Sequence, residues 1–266
     1  MDDSTAATSE DSATFVQSLA RGLSVIRAFS GERPAMTLSE VAEHAGISRA
    51  AARRFLLTLE SLGYVTSEAR AYRLTPQVLE LGVSYLSSLS LPEVAQPHLE
   101  ALAAELGESV SAAVLDGARI VYVARAEARR IMSVRIAVGT HFPAHAAAMG
   151  RVLLASLPED AWEERLRQTG LARLTSRTEI DLSTLLGVLR ETMVHGWAAV
   201  DGELEEGLRS VAVPVRGPHG IVAAINVATG AGAPRDAETT EGFVHALQRT
   251  ARAIEDEMRR VSLTHS

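Results

Sequence analysis

Segment 36–65, MTLSEVAEHAGISRAAARRFLLTLESLGYV, constrains the fold most strongly, because it contains two helix signals separated by a very short turn. Thr37 and Glu40 have the spacing of a capping box, which predicts a helix that begins after Thr37 and ends at Gly46. Ser48 predicts the N-cap of a second helix that runs to the next glycine. Two helices joined so closely through a glycine indicate a helix-turn-helix.

The second helix of this pair has a charged beginning and an apolar remainder. On a helical wheel Ala52, Leu56 and Leu59 fall on one side, which predicts the buried face. The first turn and the opposite side carry the residues that we predict to contact DNA: Ser48, Arg49, Ala50, Arg53 and Arg54. Such a helix presents its N-terminal residues to base edges in the major groove, where the arginine fork pairs with guanine. For the arginines taken alone, the alternative is a solvated helix face.

Both flanks of the helix-turn-helix carry further signals. Upstream, apolar residues at steps of three and four predict an amphipathic helix, and its stripe consists of Val16, Leu19, Leu23, Ile26 and Phe29. Downstream, the runs 64–65 and 72–74 flank a polar turn and predict a hairpin, which makes a winged helix-turn-helix. Arg70 and Arg73 on this wing are predicted to contact phosphates, which positions a protein on DNA without reading the sequence.

The charge of the chain is unevenly distributed. The whole chain has a net charge of −7, and residues 1–15 hold four acids and no base. Residues 16–74 hold eight arginines and five glutamates, a net charge of +3, whereas residues 75–266 hold 18 arginines and 24 acids, a net charge of −6. A basic segment in an acidic protein is typical of a module that binds nucleic acid.

Composition excludes several classes of protein. Hydrophobic residues make up 47% and charged residues 22% of the chain, as in globular proteins of one or two domains. No cysteine occurs, which excludes disulfides, thiol catalysis and cysteine-ligated metal. The apolar runs are too short to span a membrane, and the acidic start is unlike a signal peptide, so we expect a cytoplasmic protein without a membrane partner.

No cofactor or metal is predicted. His141 and His145 have a spacing that binds zinc on one helix, but Pro143 lies between them. The glycine-rich segment 230–234 follows a predicted strand without the third glycine or the helix of a dinucleotide site.

Beyond residue 75 the sequence predicts a connector and then an α+β domain. Thr75-Pro76 predicts a helix start, and the run 77–91 contains only one charged residue, Glu80, which favours burial against a second copy of the chain. Asp116-Gly117 predicts a hairpin. Further strands are predicted at 130–138, 197–202, 209–217 and 220–228, and helices at 92–106, 144–156, 156–168 (with a capping box of Ser156 and Glu159), 182–194 and 236–261.

Three stretches of the N-terminal half, QSLARGLSVIRAFSG, TLSEVAEHAGISRAAARRFLLTLESLGYV and YRLTPQVLELG, resemble the IclR family of bacterial transcription regulators. Two later stretches, IAVGTHFPAHAAAMGRVLLAS and GWAAVDGELEEGLRSVAVPVRGPHGIVAAINVATG, resemble the GAF-like effector domain of that family. The resemblance implies a ligand-responsive regulator that binds a double-stranded DNA operator as a homodimer or tetramer. The expected parts are a disordered acidic tail at 1–13, a winged helix-turn-helix domain at 14–75, a linker and dimerisation helix at 76–91, and a GAF-like effector-binding domain at 92–262.

Within the family the chain is most similar to the Pca/Pob branch, whose regulators sense protocatechuate, 4-hydroxybenzoate or β-ketoadipate. This similarity rests on VQSLARGLSVIRAF, SRAAARRFLLTL, RRIMSVRIAVGT and ELEEGLRSVAVPV. Where the branch reads LPAYCTSMG this chain reads FPAHAAAMG, with His145 and Ala146 in place of Tyr and Cys. The residues therefore leave the effector open among the three acids.

A small carboxylic acid needs a cation or converging N–H donors, together with an apolar wall. The N-terminus of the small-residue helix favours an anion, and Arg209 is the side chain most able to pair with a carboxylate. The predicted effector-binding residues are His145, Met149, Gly150, Asp201, Leu208, Arg209, Ser210 and Asn226, of which the family resemblance implies Asp201, Leu208 and Ser210.

Three hypotheses for function remain. The first is a regulator of aromatic-acid catabolism in the β-ketoadipate pathway, and the second is an IclR-type regulator of another catabolic pathway with a different small acid. The third is an enzyme with an appended winged helix. The acids at 201–206 lack the raised pKa and the positioned substrate that paired catalytic carboxylates need, so we expect them to orient Arg209 and expect no enzyme.

Overall fold

The computed structural model describes residues 15–31, 33–81, 91–127, 136–232, 234 and 236–264. The chain divides into two compact units, Met1–Ser88 and Leu89–Ser266. None of the helices in the described residues is long and apolar enough to cross a membrane.

The first unit is a winged helix-turn-helix, as the sequence predicts. Its elements are α1 (Gln17–Ala28), β1 (Met36–Thr37), α2 (Leu38–His44), α3 (Arg49–Ser61), β2 (Val65–Glu68) and β3 (Ala71–Leu74), and the strands form an antiparallel sheet in the order β1-β3-β2. The capping box is confirmed, because the N–H of Thr37 donates to Glu40 Oε2 at 2.7 Å and that of Glu40 donates to Thr37 Oγ1 at 3.4 Å. Ser48 Oγ accepts from the N–H of Ala51 at 3.2 Å and caps α3.

Helix α1 turns a different side to the core than its apolar stripe suggests. Val25, Ala28 and Phe29 are buried against α2, α3 and the sheet, whereas Leu19 is 63% exposed and Leu23 is 47% exposed. The amphipathic helix is thus confirmed, but three of the five residues of its predicted stripe, Val16, Leu19 and Leu23, have no cover within the described residues of this unit.

The connector begins with the predicted proline. Pro76 opens a 3₁₀ turn, Pro76–Leu79, and the N–H of Thr75 donates to the carbonyl of Tyr64 at 3.0 Å. Gly63 has a φ of +82°, a left-handed conformation that favours glycine at the end of α3. Residues 82–90 of the predicted connector helix lie outside the described residues.

The second unit is an α+β domain built on one antiparallel sheet, in agreement with the predicted fold class. Its elements are α4 (Leu91–Leu106), β4 (Ser109–Asp116), β5 (Arg119–Ala126), β6 (His141–Pro143), α5 (Ala148–Ala155), α6 (Glu159–Gln168), α7 (Leu182–His195), β7 (Ala198–Asp201), β8 (Arg209–Gly217), β9 (Gly220–Thr229) and α8 (Ala237–Thr264). The six strands lie in the order β6-β5-β4-β9-β8-β7.

The two faces of this sheet are covered by different helices. Strand residues such as Val213 and Ile225 point to α4 and α8. The alternate residues Ala113, Ala212 and Ala224 point to α5, with α6 and α7 beyond it. The alanines let α5 approach the sheet closely, and the site described below lies on this face.

Three details differ from the sequence predictions. The third strand predicted at 130–138 falls largely on residues outside the described part, and the edge strand β6, three residues that include a proline, was not predicted. The capping box at Ser156 is wrong, because α6 begins after Pro158 without a side-chain cap and the Ser156 hydroxyl donates to the Leu153 carbonyl at 2.6 Å. His145 lies in a 3₁₀ turn, Ala144–Ala146, rather than at the start of α5.

Candidate functional site

The basic surface of the first unit lies on α3. Ala52, Leu56 and Leu59 are the buried residues of this helix, as predicted. The side chains predicted to contact DNA are all exposed on the first turns and the opposite side: Ser48, Arg49, Ala50, Arg53 and Arg54. None of the three arginines forms an ion pair within the part of the chain that the structure describes, and the α3 N-terminus adds a partial positive charge. This surface therefore suits a polyanion.

The wing, which consists of β2, β3 and the turn between them, adds a second basic surface. Arg70 and Arg73 are exposed, and the tight turn between β2 and β3 holds Ala69 at a φ of +49° and Arg70 at +70°. A positive φ at two successive residues is typical of the two-residue turns that join the strands of a β-hairpin. The turn thus places Arg70 at the tip of the wing and Arg73 on its edge.

The second unit contains a narrow cavity between the sheet, α5 and the loop that joins β7 to β8. The space between atoms at this cavity, open solvent included, is about 370 Å³. Its lining consists of Tyr122, Ile136, Ala146, Ala147, Ala148, Met149, Val200, Leu204, Leu208, Ser210, Asn226 and Ala228. Four of the predicted effector-binding residues, Met149, Leu208, Ser210 and Asn226, are thus brought together, and the wall is mostly apolar.

The polar side chains of the cavity lie on the sheet. Ser210 on β8 and Asn226 on β9 are on the cavity face, and Asn226 Nδ2 donates to Ser210 Oγ at 2.7 Å. Asn226 is only 4% exposed, and its Oδ1 has no hydrogen-bond partner among the residues that the structure describes. A buried acceptor without a partner is costly, so its presence at a cavity indicates a place for a ligand donor.

Helix α5 directs its N-terminus at the same cavity. Its N-cap residue, Ala147, has no side chain that could accept a hydrogen bond from the first turn. Ala148 and Met149 line the cavity, and the N–H groups of a first turn have no partner within their own helix. These donors, together with the helix dipole, favour a carboxylate.

Two further side chains on β5 were not predicted. Tyr122 lines the cavity, and burial raises its pKa to about 12, although the nearby positive charge of Arg125 acts in the opposite direction. Arg125 lies beside the site with a side chain only 7% exposed; its Nε pairs with Glu127 at 3.3 Å, and its Nη1 has no hydrogen-bond partner in the described ranges. The β-strand period that buries every second residue of β5 was a signal for Tyr122, but the bulge before Arg125 breaks that period.

The remaining predicted effector residues lie outside the cavity lining. Gly150 packs on the turn before α5, where a Cβ would meet the Ala144 carbonyl oxygen at 2.1 Å. His145 is fully buried, and its Nε2 lies 3.2 Å from the carbonyl of Ala172. Desolvation by burial lowers the pKa of His145, so the ring is neutral and Nε2–H donates to that carbonyl.

That the acids at 201–206 orient Arg209 stays a prediction, and the hydrogen bonds seen for Arg209 go to other residues. The Arg209 guanidinium donates to Thr240 Oγ1 at 2.6 Å and to the Pro234 carbonyl at 3.2 Å. Asp201 instead lies 3.5 Å from Arg177, and Glu203 pairs with the buried Arg151. Asp201 at the end of β7 is the cross-strand partner of Arg209 on β8, whereas Glu203 lies in the loop that is joined to α5 through Arg151.

No group of three or more histidine, aspartate or glutamate side chains suited to a metal gathers within the described ranges. His141 faces Asp116 at 3.9 Å from the edge strand β6, whereas His145 is buried in the next turn. The two histidines therefore lie in different surroundings.

The fold and these two surfaces define a class of protein, namely a DNA-binding regulator with a separate small-molecule domain. Residues 18–69 match the IclR helix-turn-helix domain, and residues 83–256 match the domain described as bacterial transcriptional regulator IclR C-terminal. The chain belongs to the IclR family of bacterial transcriptional regulators. Members of this family are regulators and not enzymes.

Three relatives are especially informative. The Pca regulon regulatory protein of Pseudomonas putida is 42% identical over 90% of this chain and 83% of its own length. The p-hydroxybenzoate hydroxylase transcriptional activator of Acinetobacter baylyi is 38% identical over 80% of each chain. The crystal structure of an IclR homolog complexed with 4-hydroxybenzoate from Microbacterium hydrocarbonoxydans superposes with a TM-score of 0.81 and 26% identity, covering 91% of this chain and 99% of that one.

Proposed function

We propose that this chain regulates genes of aromatic-acid catabolism by changing its affinity for a DNA operator when a small aromatic-pathway acid fills the cavity. The observation that carries the proposal is the meeting of the uncapped α5 N-terminus with the Ser210–Asn226 pair in one largely apolar cavity. A cavity of this kind suits a small acid with an apolar body. The relatives named for Pca genes and for p-hydroxybenzoate, and the homolog that holds 4-hydroxybenzoate, support the aromatic class.

DNA binding is assigned to the exposed side of α3 and to the wing. Arg53 and Arg54 have the position and the fork geometry to read guanine, and Arg49 and Ser48 lie beside the helix N-terminus, where a phosphate is favoured. Ala50 leaves room for close approach. Arg70 and Arg73 on the wing are assigned to phosphates, since they lie on an exposed hairpin.

The two polar ends of the cavity, the N-terminus of α5 and the Ser210–Asn226 pair, orient the acid. Its carboxylate accepts from the N–H groups of Ala148 and Met149, and its body packs on the apolar wall that includes Leu204 and Leu208. A role for Arg209 would require its guanidinium to leave Thr240, so the α5 N-terminus is the better anion site. His145, Gly150 and Asp201 then support the walls from behind: His145 and Gly150 pack under α5, and Asp201 ends β7.

A second copy of the chain is assigned to the exposed apolar residues of the first unit. The described large apolar side chains with 47% to 68% of their surface exposed there include Phe15, Val16, Leu19, Leu23, Leu79 and Leu81. A cluster of this size on a helix and on the start of the connector favours burial in a homodimer, which also suits palindromic operators. Sedimentation should show no monomer at micromolar concentration. Leu19→Glu and Leu81→Glu should release monomer, whereas the control Leu174→Glu, on an exposed leucine of the second unit, should not.

As a regulator of bacterial DNA the protein is assigned to the cytoplasm. The second candidate function is regulation of another catabolic pathway through a different small acid. It is favoured by one observation, since the turn beside the cavity carries His145 and Ala146, of which Ala146 lines the cavity, where the Pca/Pob resemblance implies Tyr and Cys.

The DNA assignment is tested by fluorescence anisotropy with a duplex that the full chain selects from a random pool, at one fixed salt concentration. Arg53→Ala should weaken binding by about 1–3 kcal/mol, because a bidentate contact to a base is lost. Arg167→Ala, which removes an exposed arginine of α6, is the matched control and should leave the affinity unchanged. Unchanged affinity in both Arg53→Ala and Arg54→Ala would overturn the assignment.

A further inference from the structure

Two buried polar atoms without partners lie side by side on the cavity face of the sheet. Ser111 on β4 is directly opposite Asn226 on β9, and the two residues are 1% and 4% exposed. Neither Ser111 Oγ nor Asn226 Oδ1 has a hydrogen-bond partner within the described residues. Directly opposed residues of an antiparallel pair project to the same face, so the two side chains form one polar patch, in which Asn226 lines the cavity and Ser111 lies next to it, outside the lining.

The chemistry of this patch is specific. Asn226 Nδ2 is already bonded to Ser210, so the remaining Oδ1 only accepts, whereas the hydroxyl of Ser111 donates and accepts. A ligand hydroxyl satisfies both atoms at once, because it donates to Oδ1 and accepts from the serine. A keto or carboxylate oxygen can accept from Ser111 but has no proton for Asn226 Oδ1, which stays buried and unpaired, and an unsubstituted ring leaves both atoms unpaired.

A buried cation lies on the far side of Ser111. Arg125 is directly opposite Ser111 on β5, and its Nη1 also has no hydrogen-bond partner in the described part of the chain. Its Nε donates to Glu127 Oε1 at 3.3 Å, so a carboxylate already balances its charge, and Nη1 is a further donor beside the patch. The three polar residues Arg125, Ser111 and Asn226 therefore follow one another across three neighbouring strands.

We infer that Ser111 and Asn226 read a hydroxyl group on the effector, so that the cavity takes a hydroxy-substituted aromatic acid in preference to a keto dicarboxylic acid. The inference rests on the proposed function, since it adds a second contact to the acid whose carboxylate lies at the α5 N-terminus. The apolar residues between the two ends, among them Ile136, Val200 and Leu208, hold the ring.

The test is calorimetric titration of the full chain with 4-hydroxybenzoate, protocatechuate, benzoate, 4-fluorobenzoate and β-ketoadipate. At least one hydroxy acid should bind about tenfold or more tightly than benzoate, 4-fluorobenzoate and β-ketoadipate, because only a hydroxyl pairs the buried atoms. Asn226→Leu should reduce the affinity for that hydroxy acid to the level of benzoate, and benzoate itself should bind within a few-fold of its original affinity.

Ser111→Ala is a smaller change that should weaken the preference for the hydroxy acid over benzoate. It keeps the test decisive if the Asn226→Leu protein does not fold. Thr192→Val is the matched control, since Thr192 is a buried polar residue on α7 bonded to the Val188 carbonyl. Benzoate or 4-fluorobenzoate binding as tightly as the hydroxy acids would overturn the inference and leave the proposed function intact. Absence of heat with every acid, from protein that still binds its selected operator, would contradict both.

Discussion

Arg151 and Glu203 form an ion pair in which Nη2 and Oε2 lie 2.7 Å apart, with the two side chains only 5% and 12% exposed. Arg151 lies on α5 and also donates through Nε to the His145 carbonyl at 2.9 Å. Glu203 lies in the loop between β7 and β8, and its Oε2 also accepts from the N–H of Glu179 at 2.9 Å. Because Leu204 of this loop and Met149 of α5 both line the cavity, the ion pair joins two of its walls.

Loss of one partner of this pair should destabilise the fold. Arg151→Met leaves the Glu203 carboxylate buried without its cation, which should lower the free energy of unfolding by about 3–5 kcal/mol. Urea denaturation measures this change, with Arg167→Met as the control for an exposed pair that should cost less than about 1 kcal/mol. Equal effects of the two substitutions would show that the buried pair has no special role.

Gly150 should tolerate no side chain. Gly150→Ala places a Cβ at 2.1 Å from a backbone oxygen, so α5 must shift and the free energy of unfolding should fall by about 1–3 kcal/mol or more. The matched variant is Gly187→Ala in the middle of α7, where a Cβ meets nothing within 4 Å and should stabilise the helix by about 0.5–1 kcal/mol. Thermal unfolding of both variants distinguishes the two glycines, and a stable Gly150→Ala protein would contradict the close packing of α5.

Burial of neutral His145 should make stability depend on pH. Its pKa is lowered from the ordinary 6.5 by desolvation, so below pH 6.5 the unfolded state binds more protons than the folded state. The contribution of His145 to the free energy of unfolding should therefore be fully present above pH 6.5. It should decrease as the pH falls through 6.5 and reach a constant lower value below the folded-state pKa. His145→Gln keeps a donor for the Ala172 carbonyl without a titrating ring and should flatten this decrease, whereas His245→Gln on the exposed side of α8 should retain it. Denaturation curves at several pH values give the answer, and an identical slope for His145→Gln and the original chain would refute the assignment.

Ser210→Leu should abolish the response to the acid without affecting DNA binding. The larger side chain fills the cavity and removes the partner of Asn226 Nδ2, but Ser210 belongs to the second unit and α3 to the first. Anisotropy titrations with and without the acid should give the original operator affinity in its absence and no change in its presence. Loss of operator binding by the unliganded variant would indicate a general folding defect.

Local signals explain which parts of the fold were predictable. The capping box at Thr37 and the cap at Ser48 act within four residues, so the helix-turn-helix could be read directly from the sequence. The hairpin at Asp116-Gly117 has the same local character. The exposure of Leu19 was not predictable, because a periodic stripe does not reveal how much of it the surrounding unit covers.

The cavity was predictable only in part, since its polar contacts depend on strand register. Met149, Leu208, Ser210 and Asn226 were recognisable from their motifs and line the cavity. Ser111 becomes relevant only because the β4–β9 register places it opposite Asn226, and no local pattern encodes that register. Sequence spacing alone likewise could not decide whether Glu203 pairs with Arg209 or with Arg151.

The measurement that tests the central claim most directly is the operator dissociation constant of the full chain with and without a saturating acid, at fixed salt. The two units should be coupled, so an acid shown by calorimetry to occupy the cavity should change that constant by about fivefold or more. The Ser210→Leu chain should give a ratio of one under the same conditions. An operator dissociation constant that stays the same while the acid is bound to the original chain would contradict the assignment of a ligand-responsive regulator.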